Sequence, residues 1–183
     1  NNVIFKNLSY PKLKDKILYG GVNIINSNVK IRDTQITSSK SEDAINIISS
    51  KTNIKNLMVK NIQSDAIDID FGVLNFEDIL CENIENDCLD ISGAHVVGNF
   101  INGSNIKDKG LSFGENAKGK ISNLNFQNSR LGVAVKDGSS LELTKYGFKN
   151  NEFDVVVFNK KKEYDGALLD ISKSINDNEL NYL

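Results

Sequence analysis

Residues 64–91 have the sequence SDAIDIDFGVLNFEDILCENIENDCLDI, in which one short pattern occurs twice. The letters DAIDI at residues 65–69 return 22 positions later as DCLDI at residues 87–91. Four more copies keep this spacing: DAINI at 43–47, KGLSF at 109–113, LGVAV at 131–135 and FDVVV at 153–157. Six copies at one spacing form an internal repeat, which has to be recognised before any other fold assignment is made.

The five positions of a copy differ in character in a regular way. We call the first position the corner; the second is small in the first five copies, the third and fifth are apolar in all six, and the fourth is mostly polar. This alternation with a period of two predicts a half-buried β-strand. The apolar pairs are Ile45/Ile47, Ile67/Ile69, Leu89/Ile91, Leu111/Phe113, Val133/Val135 and Val155/Val157.

A second apolar set in each repeat shows that the repeat holds more than one strand. Ile54, Leu57, Val59 and Ile62 are matched 22 residues later by Phe76, Ile79, Cys81 and Ile84. A single repeat cannot bury these residues, whereas stacked repeats bury a continuous column. The sequence therefore predicts an all-β fold, a right-handed single-stranded parallel β-helix with coils of about 22 residues, in which equivalent residues stack roughly 4.8 Å apart.

The 183 residues fit one domain with three parts. We expect irregular N-terminal coils over 1–40, regular repeats over 41–159, and a C-terminal strand and tail over 160–183. The segment Gly21–Ile24 predicts a strand one residue out of register, Lys160–Glu163 a solvated turn, and Ala167–Ile171 the last strand. Because the chain starts with Asn and has no signal-peptide pattern, we expect it to be part of a longer protein.

Composition excludes some classes of function. The net charge is −2 and no basic stripe is present, so nucleic-acid binding is not expected. No run of 18 or more apolar residues occurs, so no membrane span is expected.

The reactive residues are few. Cys81 takes an inward position and Cys88 the small second position, and we expect buried free thiols rather than a disulfide. Two cysteines are too few for a zinc site, and no metal site is predicted. His95 is the only histidine and is expected in a surface turn, which disfavours a Ser-His-Asp mechanism.

The polar positions of the first strand line up into a candidate functional face. If these side chains point outward, carboxylates stack about 4.8 Å apart, which requires raised pKa values, a bound cation or a nearby lysine. The alternative is structural, because Asp and Asn at corners bond local backbone amides. The corner column is Asp43, Asp65, Asp87 and Lys109, the mid-strand column is Asn46, Asp68, Asp90 and Ser112, and the column after it is Asp70, Ser92, Gly114 and Lys136.

Four motifs on successive coils make residues 40–140 resemble the polygalacturonases, glycoside hydrolases built on a right-handed β-helix. Where that family has Asn-Thr-Asp this chain has Gln63-Ser64-Asp65, and where it has Gly-Asp-Asp this chain has Glu85-Asn86-Asp87. The two terminal aspartates are kept. Asn86 stands where the family has the aspartic acid that protonates the leaving oxygen, a step that hydrolysis with inversion requires.

The third and fourth motifs agree in part. Asp108-Lys109-Gly110 falls where the family has Gly-His-Gly, and Ala134-Val135-Lys136 falls where it has Arg-x-Lys. The resemblance implies a carbohydrate-active face. In that reading the catalytic candidates are Asp65, Asp87, Lys109 and Lys136, and the substrate-binding candidates are Asp68, Asp90 and Ser112.

Pectate-lyase-like and epimerase-like relatives of the same architecture are an alternative to the polygalacturonases. They use Asp-bound calcium and a basic side chain, so calcium stays an open candidate cofactor at the aspartates, with Lys109 or Lys136 as the base.

Two hypotheses about function follow. The first is a module that binds or presents an extended ligand, most simply carbohydrate, without standard polygalacturonase activity. The second is a polysaccharide hydrolase, lyase or uronate epimerase that uses Asp65, Asp87, Lys109 and Lys136. We expect Phe71, Phe113 and Tyr146 in the core, which leaves few aromatics to stack on sugars. The expected setting is extracellular or at the cell surface, with a polysaccharide partner and end-to-end homodimers through open helix ends.

Overall fold

The computed structural model describes residues 2–11 and 17–174, and within these ranges the chain forms strands and turns without a helix. The loop expected at Lys12–Lys16 and the polar tail after residue 174 lie outside the described residues. The strands are β1 Val3–Lys6, β2 Gly20–Ile25, β3 Asn28–Ser39, β4 Asp43–Ile62, β5 Asp65–Phe76, β6 Ile79–Ile84, β7 Leu89–Gly114, β8 Lys118–Lys136, β9 Ser140–Lys149, β10 Phe153–Phe158 and β11 Leu168–Ser174.

Every pairing between strands is parallel, and the register follows the repeat. Ile45 pairs with Ile67, and Ile67 pairs with Leu89. Farther along the stack, Leu111 pairs with Val133, and Val133 with Val155. Residues 22 apart are thus neighbours on successive coils, and the predicted parallel β-solenoid is confirmed. The last strand was also correctly placed, since β11 pairs with β9.

Several pairings depart from the spacing of 22, and at the ends of the stack it is 31 between Val3 and Thr34 and 28 between Ser140 and Leu168. Val22 pairs with Ile45, which confirms the strand predicted one residue out of register. His95 pairs with Lys118, also 23 positions away, because the turn at Glu115 and Asn116 holds one extra residue. His95 is exposed as expected, but it lies inside β7 rather than in a turn.

The apolar columns fill the interior of the coils. Ile45, Ile67, Leu89 and Leu111 are all buried, and each fully buried side chain of this kind contributes about 1.5–3 kcal/mol. A small residue is needed wherever a large side chain packs directly against the backbone. A Cβ atom added to Gly110 would come within 2.4 Å of the Phe126 ring, so the second position has to be small there.

Asparagines form one corner of the solenoid. Each member of the set has a left-handed φ between 53° and 57°, which asparagine tolerates better than most residues. Their side-chain amides also bond from coil to coil, with N···O distances of 3.0 to 3.4 Å. The ladder therefore satisfies its own polar groups while turning the chain. Its members are Asn61, Asn83, Asn105, Asn128 and Asn150.

The two cysteines form a disulfide, so the expectation of free thiols is wrong. Cys81 and Cys88 are fully buried, as predicted, but their sulfurs are bonded and their Cα atoms lie 5.9 Å apart. Cys81 belongs to the second apolar set and Cys88 to the following first strand. The chain turns between them, which brings the two columns together inside one coil.

Candidate functional site

The predicted site residues lie on one surface that crosses β4, β5, β7 and β8, which we call the acidic strip. Asp43 pairs in register with Asp65, and Asp68 pairs with both Asn46 and Asp90. The strip consists of Asp43, Asn46, Asp65, Asp68, Asp70, Asp87, Asp90, Lys109, Ser112 and Lys136.

The corner carboxylates are turned towards the backbone, which corrects the expectation that they point outward. Oδ1 of Asp65 accepts a hydrogen bond from the Asp87 amide at 2.7 Å, and Oδ1 of Asp87 accepts one from the Lys109 amide at 2.9 Å. Asp87 is only 2% exposed, and Asp43 is buried as well. Each of these two bonds ties one coil to the next, which is the structural role of corner aspartates.

Lys109 is held by a group of charges around Asp87. Its Nζ lies 3.2 Å from both carboxylate oxygens of Asp87 and also bonds Asp108. Arg130 donates to the other oxygen of Asp108 at 3.1 Å. Burial alone would raise the pKa of Asp108, but the bonds and charges of Lys109 and Arg130 outweigh it and lower that pKa. Burial likewise would lower the pKa of Lys109, but Asp87 and Asp108 raise it.

The mid-strand column carries the most perturbed carboxyl group. Burial, reinforced by the charges of Asp70, Asp43 and Asp90, raises the pKa of Asp68 to about 8. The Asn46 side-chain amide donates to Asp43 at 2.8 Å and to Asp68 at 3.2 Å. Oδ1 of Asp90 is buried and has no hydrogen-bond partner among the described residues.

The pKa values of the neighbouring carboxyl groups are raised as well. Burial is the main cause in each case, and it raises the pKa of Asp43 and of Asp65 to about 6 and that of Asp87 to about 7. Burial also raises the pKa of Asp70. The strip therefore holds protonated and ionised carboxyl groups side by side near neutral pH, which is a condition for proton transfer as well as for hydrogen bonding to a polar ligand.

Lys136 lies apart from the Asp87–Lys109 group. Its Nζ donates to the Ser112 hydroxyl at 2.7 Å, and its side chain crosses Gly114. Ser112 is fully buried and Lys136 is 9% exposed. The structure thus brings Asp65, Asp87 and Lys109 together and pairs Lys136 with Ser112.

One end of the strip is bounded by the loop that follows β10. Oδ1 of Asp137 accepts the backbone amides of Lys160 and Lys161 at 2.7 and 2.8 Å. The Lys161 ammonium then forms an ion pair with Glu115. The run at 160–163 is thus a turn that is tied to the solenoid, rather than only solvated. Sequence reasoning missed Glu115 and Asp137 because both lie just beyond the five-letter pattern.

One aromatic prediction for this surface is wrong. Phe113 and Tyr146 are buried as expected, but Phe71 is 52% exposed. Its ring lies over Gly93, where an added Cβ would come within 2.6 Å of it. Phe71 therefore adds an accessible aromatic ring next to Asp70.

A cation site and a membrane segment were also sought. Over residues 2–11 and 17–174, no group of three or more His, Cys, Asp and Glu side chains is arranged to hold a metal ion. The same part of the chain contains no helix that is long and apolar enough to cross a membrane.

Comparison with known proteins gave no match to a family model, to a curated protein or to a solved structure. The resemblance to polygalacturonases therefore rests on the motif letters alone.

Proposed function

We propose that this solenoid is a binding module and that an extended carbohydrate ligand binds along its acidic strip. The observation that carries the proposal is the mid-strand column, in which the partly exposed Asp68 and Asp90 lie between the buried Asn46 and Ser112 at the same position of four successive coils. A row of polar groups spaced by about 4.8 Å suits a chain-like ligand better than a compact one.

The state of the corner residues favours binding over polygalacturonase-type hydrolysis. Both oxygens of Asp87 are bonded to Lys109, and the side chain is almost wholly buried. Asn86 has no acidic proton to give to a leaving oxygen. Hydrolysis of this kind needs an acid at position 86 and an accessible carboxylate at Asp87, and this chain provides neither.

A second candidate function is catalysis by the mid-strand column instead of the corners. With its pKa raised to about 8, Asp68 is largely protonated at neutral pH and has the form of a general acid. Asp90 is its in-register neighbour and keeps one oxygen without a partner among the described residues. These two side chains are the best pair for a polysaccharide hydrolase, lyase or epimerase on this surface.

Gel retardation by polysaccharides tests binding, and analysis of the same polymers for cleavage or epimerisation tests catalysis. We expect Asp68→Asn together with Asp90→Asn to weaken retardation while wild-type protein forms no product. A control is Glu77→Gln, at an exposed carboxylate that pairs with Lys55 outside the strip. Retardation that the paired strip substitutions leave unchanged overturns the binding proposal, and product that disappears in Asp68→Asn favours the enzyme.

The disulfide supports the proposed extracellular or cell-surface location. Buried structural disulfides form and persist in oxidising compartments and are rare in reducing ones. Thiol alkylation of the protein taken directly from its native compartment tests this, because reactive thiols at Cys81 and Cys88 after denaturation would place it in a reducing compartment.

A further inference from the structure

A second linear feature runs along the outside of the solenoid, away from the acidic strip. Three cavities adjoin here: the first and the middle one share Asn56 and Met58, and the middle and the last one share Leu80 and Asn102. Together they form one shallow channel that we call the amide groove. Its floor is a single column in which each residue pairs in register with the next: Ile4, Gln35, Met58, Leu80, Asn102, Asn125 and Gly147. Six steps of about 4.8 Å make the column roughly 29 Å long.

The floor of the amide groove carries no charge. One end is apolar, with Ile4, Met58 and Leu80, and the other presents the amides of Asn102 and Asn125. The last position is Gly147, which leaves the floor open because it has no side chain. Charges are confined to the walls: Asp33 accepts a bond from Asn56 at 2.7 Å, Asp78 lines the middle cavity, and Lys149 lines the cavity at the Gly147 end.

Hydrogen-bonding groups at the polar end are left unused. Asn125 donates to the Asn102 oxygen at 3.1 Å, which fixes the orientation of both amides. The Nδ2 atom of Asn102, the Oδ1 atom of Asn125 and the side chains of Ser104 and Gln127 have no hydrogen-bond partner within residues 2–11 and 17–174. The acidic strip differs in this respect, because the side chains of Asp65, Asp87, Lys109 and Lys136 form hydrogen bonds within the protein itself.

We propose that the amide groove binds a neutral, extended polysaccharide. Oriented, uncharged donors and acceptors beside a short apolar surface match the hydroxyl groups and CH faces of neutral sugars, and they give no ionic partner to a uronate. An extended peptide fits less well, because peptides gain affinity by adding a strand to an exposed sheet edge, whereas this groove crosses the face of paired strands. The inference goes beyond the proposed function, because it adds a second carbohydrate-binding surface to the acidic strip.

Affinity electrophoresis separates the two surfaces. The probes are three neutral polymers, hydroxyethylcellulose, galactomannan and dextran, and one acidic polymer, polygalacturonate. We expect at least one neutral polymer to retard the wild-type protein. Replacing both amides, Asn102→Ala with Asn125→Ala, should weaken that retardation about tenfold or more, because each lost hydrogen bond contributes about 0.5–1.5 kcal/mol. Ser104→Arg provides an independent test, since it fills the groove and keeps the amide pair.

The chain offers a matched control for these substitutions. Asn75 donates to Asn53 at 3.3 Å in a second amide pair, on a surface crossed by Lys30, Arg32 and Lys55. We expect Asn75→Ala to bind like wild type, and melting temperatures of all variants to verify folding. No retardation by any neutral polymer, or equal retardation of the wild type, the paired amide variant and Ser104→Arg, overturns the inference. Retardation by polygalacturonate alone, abolished by Asp68→Asn with Asp90→Asn, also overturns it and leaves the proposed function intact.

Discussion

Lys136 donates a hydrogen bond to Ser112, with Nζ and Oγ 2.7 Å apart. The bond is possible because the residue between them in space is Gly114, where an added Cβ would come within 2.8 Å of the Lys136 Cε atom. Lys136 has no ion-pair partner in the part of the chain that the structure describes. A buried ammonium is thus held by a hydroxyl group, which makes the stability of this end of the strip sensitive to that one acceptor.

We expect Ser112→Ala to lower the free energy of unfolding by about 1–3 kcal/mol, since it leaves the Lys136 ammonium buried without that acceptor. Urea denaturation measures the change. Lys136→Met keeps the length of the side chain and removes the charge, so Ser112→Ala made in that background should cost clearly less. If the two costs are equal, the hydrogen bond contributes nothing to stability.

Stability should fall as the pH rises towards 8, which is opposite to the usual behaviour of carboxylates. The pKa of Asp68 rises from an ordinary 3.8 to about 8 on folding, and burial raises the pKa values of Asp43, Asp65 and Asp87 to about 6, 6 and 7. The folded chain therefore binds more protons than the unfolded chain between about pH 4 and 8. The stabilisation is complete below the unfolded pKa and is lost as the pH rises through the folded values.

Urea midpoints at pH 5, 6, 7 and 8 check this expectation. Each unpaired carboxyl group contributes a slope of at most about −1.4 kcal/mol per pH unit. Asp68→Asn should flatten the slope between pH 6 and 8, whereas Asn75→Ala, a substitution outside the strip that removes no titratable group, should not. A free energy of unfolding that increases from pH 5 to 8 would contradict the raised pKa values.

Removing the disulfide should destabilise the fold by about 2–3 kcal/mol, because it closes a loop of only eight residues in the unfolded chain. The variant Cys81→Ala with Cys88→Ala tests this by urea denaturation in the absence of reductant. Both sulfurs are fully buried, so we expect reductant to act slowly on the folded wild-type protein and quickly in denaturant. If both cysteines are alkylated in folded protein to which no reductant has been added, the bond is absent.

The repeat was enough to predict the solenoid, because a period of 22 residues places Ile67 beside Leu89 whatever the path of the chain between them. It was not enough to predict the Cys81–Cys88 bond. The pattern says that both side chains point inward, but the distance between two inward columns of one coil depends on how sharply the chain turns from Ile84 to Asp87. The same limit explains the burial of Asp87, because a corner residue belongs to a strand and to a turn at once.

The site was predictable only where it follows the repeat. Asp68 and Asp90 are in register, so their proximity and mutual repulsion could be anticipated from the sequence. The contact of Lys161 with Glu115 could not, because the loop after β10 is not periodic. The amide groove was missed for a different reason: its floor column mixes apolar residues, amides and glycine, and only Asn102 and Asn125 share a letter.

We propose that the described N-terminal edge of the stack mediates end-to-end association of two copies of this chain. β1 pairs with β3 along one edge, and no described strand pairs with its other edge. Phe5 pairs with the buried residue Ile36 but is itself 38% exposed, and Ile4 is 54% exposed. Unpaired strand edges recruit other strands. Light scattering should therefore show a dimer fraction that increases with protein concentration. The double substitution Ile4→Lys with Phe5→Lys should abolish this dimer. Val97→Lys, at an apolar residue that is 61% exposed in the middle of the stack, should leave the dimer unchanged. A monomer at every concentration, or a dimer that persists in the doubly substituted protein, would rule this end out as the interface.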